Sequence, residues 1–223
     1  MRPLVPILHL AAGHHGGQVA VLKLAENGHA QADLSKVPAD RLLSVMTRCV
    51  FNAGFNWKVI DAKWDGFEAA FEGFDPAKLA FFGEEMMDDL VSDTRIVRNG
   101  QKIRATLDNA RMVAEIEQSE GGFGRFLATW PADDQVGLMH TLNTRGSRLG
   151  GATGQYFLRF CGWDAWITSR DVCAALVREG VLDKPVATSK RDLGKVQAAI
   201  NHWHSGSGLP RAAISRILAL SVG

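Results

Sequence analysis

Residues 148–172 read RLGGATGQYFLRFCGWDAWITSRDV, a glycine-rich turn that leads into a helical stretch and then into a polar loop with Asp171. Glycine permits positive φ and lets the backbone approach a ligand closely. A turn that opens a helix also leaves amide hydrogens without intrahelical partners, which favours an anion such as a phosphate. Taken alone, a Gly-Gly pair before a helix is more typical of a simple connection between two helices.

The composition is that of an ordinary globular protein. The chain has 223 residues, of which 46% are hydrophobic and 22% charged, and its net charge is +1. This length supports one domain or two closely packed lobes. Because the chain carries no global positive field, any contact with a polyanion must come from a local patch. The three cysteines, Cys49, Cys161 and Cys173, lack metal-ligand spacing and are typical of reduced thiols in the cytosol.

The N-terminal segment MRPLVPILHLAAGHHGG contains an apolar run that Pro6 and His9 interrupt. It is neither a convincing signal peptide nor long enough to span a bilayer. The sequence therefore predicts a cytoplasmic protein with no membrane partner.

Helical spacing of apolar residues recurs along the chain, whereas alternating β-branched runs are nearly absent. Leu42, Leu43, Met46 and Val50 share one face of residues 40–51. Asp75 followed by Pro76 is a strong helix-start signal, and Ser189 is a candidate N-cap for a later helix. Further helices are predicted over 75–93, 99–120, 189–208 and 209–222. The pattern predicts an all-α chain of about eight to ten helices.

Three blocks of sequence resemble a known family. Gly150, Thr153 and Gly154 match the run that starts the second helix of a helix-hairpin-helix motif and cradles a DNA phosphate. Upstream, AGFNWKVIDAKWDGFEAAFEGFDPAKLA (53–80) and TRIVRNGQKIRATLDNAR (94–111) are similar, in the same order, to segments of the DNA-3-methyladenine glycosylase I family. The resemblance covers roughly residues 40–172, whereas residues 1–35 match poorly.

The resemblance implies a helix-hairpin-helix DNA glycosylase fold, with two packed lobes in a single compact domain over residues 1–223. Residues 144–172 would hold the hairpin and catalytic loop, and residues 1–35 would be a divergent N-terminal segment. The implied activity is monofunctional base-excision repair, hydrolysing the N-glycosidic bond of alkylated purines such as 3-methyladenine in double-stranded DNA. The protein would act as a cytoplasmic, nucleoid-associated monomer without a cofactor.

Two other functions remain open at this stage. One is a lesion-binding DNA protein of the same fold with reduced catalysis, which would bind DNA and release no base. The other is an all-α interaction module, which would not bind DNA even at low salt. Ala152 stands where some relatives in the wider superfamily carry a nucleophilic lysine, which favours single-step hydrolysis by water over a covalent mechanism.

The base pocket is expected near residue 57. Trp57 matches the family's aromatic residue that stacks on the flipped base, and an electron-rich ring attracts a cationic alkylated purine. Phe51, Asn52 and Cys49 are further substrate-binding candidates on the preceding segment, and Cys49 occupies the position of the family's glutamate. A cysteine does not replace that charge unless its pKa falls sharply. Trp64, Phe67 and Phe71, by contrast, have the spacing of core residues.

The catalytic candidate is Asp171, because a carboxylate near the sugar stabilises the positive charge of the transition state. Its register is two residues late, since the superfamily's aspartate position falls on Ser169. The alternative is that Ser169 or Asp171 caps the helix that follows. Asp164 lies in the preceding turn and matches the pattern no better.

DNA-binding candidates come from the glycine turn and from a cationic segment. Arg95, Arg98, Lys102 and Arg104 occur without an acidic residue between Asp93 and Asp108, and the alternative is a solvated helix face. Arg148 occupies the position of the family hairpin's first glycine. The predicted DNA-binding residues are Arg148, Gly150, Gly151, Thr153, Gly154, Arg98 and Lys102.

No metal site is predicted. The family's structural zinc is held by cysteine and histidine residues near both termini, but this chain has no cysteine before Cys49 or after Cys173. The histidines near the termini are His9, His14, His15, His29, His202 and His204.

Overall fold

The structure is a computed structural model that describes residues 2–26 and 33–223. Met1 and residues 27–32, including His29 and part of the predicted divergent segment, lie outside the described residues. The described residues form fourteen α-helices and two short 3₁₀-helices without a strand, which confirms the all-α prediction. The α-helices, α1 to α14, are Val5–His14, Gln18–Glu26, Ala39–Asn52, Trp57–Ala62, Trp64–Ala70, Pro76–Ala80, Glu84–Ser92, Gly100–Glu120, Phe123–Thr129, Gln135–Arg145, Gly151–Cys161, Arg170–Arg178, Lys190–Ser207 and Arg211–Leu220.

The predicted count of eight to ten helices was too low because many helices here are short. The stretch 75–93, predicted as one helix, divides into α6 and α7 around Gly83, whose backbone is extended. Its predicted start is confirmed, since the Asp75 carboxylate accepts hydrogen bonds from the amides of Ala77 and Lys78. The helices α4 and α9 have only six and seven residues, too few to repeat an apolar pattern.

The chain divides into two compact units. The central unit comprises Asp33–Trp130 and Met139–Phe157, and the terminal unit comprises Met1–Ala32, Pro131–Leu138 and Leu158–Gly223. In the central unit, the 21-residue helix α8 packs against α3, α6, α7 and α9. Its buried face includes Ile103, Leu107 and Ala110, which recur at helical spacing.

A column of aromatic rings fills the core of the central unit. Trp64 stacks on Phe67 and Phe74, and Phe71 stacks on Phe67 and Phe74, with ring centroids 5.1–6.1 Å apart. All four side chains are buried. The interpretation of Trp64, Phe67 and Phe71 as core residues is therefore confirmed.

The terminal unit is built around α14, which packs against α1, α2, α12 and α13. Asp164 caps this helix, because its carboxylate accepts hydrogen bonds from the amides of Arg211 (3.0 Å) and Ala212 (2.9 Å). The predicted cap of α13 is confirmed, since the Ser189 hydroxyl accepts a hydrogen bond from the Asp192 amide. These contacts give Asp164 a structural role within its own unit.

No helix in the described part of the chain combines the length and apolar character needed to cross a membrane.

Candidate base-binding and DNA-binding site

The glycine turn lies in the central unit, between the end of α10 at Arg145 and the start of α11 at Gly151. Arg148 has φ +58° and Gly151 has φ +57°, both in the left-handed region. Glycine adopts this conformation at little cost, whereas other L-residues are strained there. The turn therefore has a glycine-type backbone at Arg148 although the residue is an arginine.

Asn109 of α8 anchors this turn. Its Oδ1 accepts a hydrogen bond from the Ser147 amide at 2.7 Å, and its Nδ2 donates to the Ser147 carbonyl at 3.1 Å. Asn109 is fully buried, so the loss of either hydrogen bond would leave a polar group with no partner in the protein and no access to water. The role of Asn109 is not visible in the sequence, because a polar residue within a helix carries no local signal of a distant partner.

Gly154 is required by close packing within the turn. A Cβ at this position would lie 2.4 Å from the Leu149 carbonyl oxygen, well inside van der Waals contact. At Gly151 there is open space around a Cβ, so only the positive φ disfavours a side chain there. Gly151 and Ala152 are exposed at the beginning of α11, where the amides of a helix lack intrahelical partners.

Two of the four cations in the segment 95–104 are neutralised by acidic partners. Arg95 pairs with Asp93 at 2.7 Å, and Arg104 makes two hydrogen bonds to Glu84 at 2.7 and 2.8 Å. The Arg104 hydrogen bonds lower the pKa of Glu84, which keeps this carboxyl ionised. Arg98 is also exposed, and the described residues provide no hydrogen bond or ion pair for its side chain.

Lys102 points into the protein, whereas a phosphate-binding lysine is expected at the surface. Its Nζ donates hydrogen bonds to the carbonyl oxygens of Phe51 (2.9 Å) and Ala53 (2.6 Å), at the end of α3. The ammonium also lies 4.2 Å from the centroid of the Phe55 ring. Burial and then the charge of Arg148 lower the pKa of Lys102.

Trp57, the candidate for base stacking, is 43% exposed at the start of α4 and so is not a core residue. Its indole makes an edge-to-face contact with the Tyr156 ring, with centroids 5.8 Å apart. Tyr156 lies on α11, the helix that begins at the glycine turn. The role of Tyr156 is not visible in the sequence, because only the folded chain brings it to Trp57.

The other pocket candidates lie on the last turn of α3 and are buried. Phe51 is fully buried and packs edge-to-face on Phe67, with ring centroids 4.7 Å apart. Cys49 is buried as a reduced thiol. The Asn52 side chain is also buried, and its Oδ1 has no hydrogen-bond partner among the described residues. An unpaired buried amide oxygen is costly, and a bound water or ligand that donates a hydrogen bond would remove this cost.

Asp171 is the exposed second residue of α12, in the terminal unit. The cap of this helix is Ser169, whose Oγ accepts a hydrogen bond from the Val172 amide at 3.2 Å. The capping alternative is therefore confirmed for Ser169 and not for Asp171. A carboxylate in the first turn of a helix is stabilised by the helix dipole, which is the structural role open to Asp171.

Within residues 2–26 and 33–223, no three or more His, Cys, Asp and Glu side chains are grouped in a way that would hold a metal ion.

The chain is similar to methyladenine glycosylases. The family model described as methyladenine glycosylase matches residues 36–146. DNA-3-methyladenine glycosylase 1 of Escherichia coli (strain K12) is 37% identical over 75 residues, which cover 34% of this chain and 40% of that protein. This chain thus spans less than half the length of that curated relative.

Two solved structures have a similar fold. A crystal structure of 3-methyladenine DNA glycosylase I superimposes with a TM-score of 0.51 at 25% identity, covering 57% of this chain and 81% of that chain. The Staphylococcus aureus 3-methyladenine DNA glycosylase I, solved to explain its recognition of 3-methyladenine, gives 0.52 at 24% identity, covering 68% and 90%. The second likeness shows the fold alone.

Proposed function

We propose that this chain, which is a DNA-3-methyladenine glycosylase I-like protein, hydrolyses the N-glycosidic bond of alkylated purines such as 3-methyladenine in double-stranded DNA. The observation that carries the proposal is the partly exposed indole of Trp57, braced by Tyr156 in the same unit as a glycine turn with left-handed Arg148 and Gly151. One unit thus provides a platform for a flipped base and a turn suited to a phosphate.

The glycine turn is proposed to act as a helix-hairpin-helix element. The exposed start of α11 at Gly151 and Ala152 offers backbone amides to a DNA phosphate, and Thr153 adds a hydroxyl. Gly150 and Gly154 keep this turn tight, and Arg148 adds a positive charge beside it. Because Arg95 and Arg104 have acidic partners and Lys102 is buried, we expect Arg98 and Arg148 to provide the main electrostatic contacts.

Trp57 is proposed to stack on the extrahelical base. A cationic alkylated purine gains cation–π attraction over the indole in addition to stacking, whereas a normal base gains stacking alone. The Asn52 amide, with its unpaired oxygen, would read a hydrogen-bond donor on the base edge. Cys49 and Phe51 are buried, and their packing would stabilise this end of α3.

Asp171 is our candidate for the catalytic carboxylate in a single-step hydrolysis by water. Its negative charge would stabilise the cationic sugar as the bond breaks. Glu68 of α5 is an acidic residue of the central unit, but it accepts hydrogen bonds from Arg41, Ser44 and Trp64 and therefore has a structural role. The described residues offer Asp171 no such partner.

The test is the release of free bases from methylated duplex DNA, measured by mass spectrometry for the wild type and for Asp171→Asn. We expect the wild type to release 3-methyladenine, and the variant to lose about 100-fold or more in rate while retaining its DNA affinity. If the variant keeps the wild-type rate, Asp171 is a first-turn residue of α12 and not the catalyst.

A specific observation supports the second candidate, a lesion-binding protein with reduced catalysis. Cys49 is buried at the position where the family carries a glutamate, so this chain has no carboxylate there. A wild-type protein that binds methylated duplex DNA in a salt-dependent way and releases no base would favour this function over hydrolysis.

A further inference from the structure

Lys102 is a buried cation that the proposed DNA contacts leave unexplained. It is only 5% exposed, although lysine is among the residues that are least often buried. Its Nζ lies 2.9 Å from the Phe51 carbonyl oxygen and 2.6 Å from that of Ala53. The side chain crosses from α8 to the end of α3, so it connects two helices that are distant in sequence.

The end of α3 is a favourable place for this ammonium. The last carbonyls of a helix have no intrahelical donors, and the C-terminal end of a helix dipole attracts a cation. Phe51 and Ala53 lie at this end of α3, immediately before the segment Gly54, Phe55 and Asn56 that leads to Trp57. The ammonium therefore satisfies acceptors that would otherwise be unpaired and fixes where the next segment begins.

Lys102 also contacts that next segment directly. The Nζ is 4.2 Å from the Phe55 ring centroid and 5.9 Å from that of Phe51, within the range of cation–π attraction. One face of Phe55 is thus occupied by the cation, and a base cannot stack on that face. Trp57 is the other partly exposed aromatic residue of this segment.

We infer that Lys102 is a positioning residue, which holds the end of α3 and Phe55 so that Trp57 starts α4 in the orientation needed for base stacking. This inference rests on the proposed function of the same site. It differs from a direct phosphate contact, because two of the three N–H donors of the ammonium are bonded to carbonyl oxygens of the protein. Gln101 and Arg104, its neighbours on α8, are the exposed residues there.

The first experiment compares three variants in single-turnover base release and in DNA affinity across a salt series. Lys102→Met removes the donors and keeps the aliphatic chain, whereas Lys102→Arg keeps a cationic donor. Lys78→Met is the matched control, since Lys78 is an exposed lysine on α6.

We expect Lys102→Met to release base about tenfold or more slowly once DNA is bound, because a misplaced platform slows the bound complex. Its DNA affinity and salt dependence should match those of the wild type, and Lys102→Arg should recover most of the rate. Lys78→Met should behave as the wild type. Loss of DNA affinity with a shallower salt dependence in Lys102→Met, at an unchanged rate for bound DNA, would make Lys102 a phosphate contact and overturn the inference.

The second experiment uses the wild type and needs no base release. Reductive methylation of lysines, followed by mass spectrometry, should modify Lys102 much more slowly than Lys78, equally with and without DNA. Rapid modification of Lys102 that DNA suppresses would overturn the inference. A wild type that releases no base would contradict the proposed function, and the methylation pattern would still support or overturn the position of Lys102.

Discussion

At the scale of single residues, the glycine turn depends on two positions with opposite requirements. Arg148 accepts a left-handed backbone that costs an L-residue roughly 1–2 kcal/mol. Gly154, in contrast, has no room for any side chain, because a Cβ would lie 2.4 Å from a backbone oxygen. The Arg148 side chain reaches α8, where its guanidinium donates a hydrogen bond to Gln101.

Replacing Gly154 with alanine should destabilise the protein by roughly 1–3 kcal/mol, since the Leu149 carbonyl must move to admit the methyl group. The measurement is the free energy of unfolding by denaturant. Gly194→Ala is the matched control, because Gly194 lies within α13 and has nothing within 4 Å of an added Cβ. That control should gain about 0.5–1 kcal/mol from helix propensity. Equal effects of the two substitutions would refute the close-packing argument.

At the scale of helices, one carboxylate makes the polar contacts between α3 and α5, beside the apolar contact of Phe51 with Phe67. Glu68 of α5 accepts hydrogen bonds from Arg41 and Ser44 of α3. Burial would raise the pKa of Glu68, but the hydrogen bonds from Arg41 and Ser44 outweigh it and hold the pKa below its ordinary value. The carboxylate therefore stabilises the fold fully above the ordinary glutamate pKa, and this contribution is lost as the pH falls through the lowered value.

Glu68→Gln should lower the free energy of unfolding at pH 7 by roughly 1.5–3 kcal/mol, the usual loss for hydrogen bonds to a charged group. The difference between wild type and variant should shrink as the pH is lowered below about 4, where glutamate becomes protonated. Thermal or denaturant unfolding of both proteins, from pH 7 down to acid pH, measures this difference in the free energy of unfolding. A difference that stays constant down to acid pH would contradict the role of the ionised form.

Helix positions were predictable from the sequence where local chemistry decides them. Asp75 and Ser189 cap the helices that their sequences indicate, and α8 follows its apolar stripe. Distant partners were not predictable. The acid that neutralises Arg104 is Glu84, which lies on another helix. The sequence places Lys102 in a cationic segment and does not show that its ammonium binds two carbonyl oxygens at the end of α3.

The sequence was enough to predict the glycine turn and the aromatic residue of the candidate site. It was not enough to predict the residues that hold them in place. Trp57 and the glycines of the turn stand out by residue type and by resemblance to a family. Asn109 and Tyr156 act through contacts with residues about 40 and 100 positions away in the chain, which no local pattern records. The residues that hold a site in place thus depend on the tertiary fold, even where the site itself has a local sequence motif.

At the scale of the whole molecule, the segment that matches the methyladenine glycosylase family ends where the glycine turn begins. The match ends at residue 146, just before the turn at 147–154, so the case for a phosphate site rests on the geometry of this chain. The net charge is +1, and several surface arginines have acidic partners. We therefore expect affinity for DNA to depend on a few phosphate contacts and not on a general positive surface.

With Arg98 and Arg148 as the main cations, the logarithm of the DNA association constant should fall with the logarithm of salt concentration with a slope of about −2. Binding to a short duplex, followed by fluorescence anisotropy over a salt series, measures this slope. Arg98→Ala and Arg148→Ala should each reduce it by about one. A much steeper slope that neither substitution changes would place the DNA on another surface.

The most direct test of the central claim is a nuclear magnetic resonance titration with the 3,9-dimethyladeninium cation, which carries the positive charge that a 3-methylated adenine has in DNA and that the free base lacks. The account predicts saturable shifts centred on the Trp57 indole and Tyr156, much weaker shifts with adenine, and their loss in Trp57→Ala. Because Trp57 is partly exposed, that variant should remain folded. Equal responses to the two bases, or shifts located away from Trp57, would contradict the claim that this indole is the platform for an alkylated base.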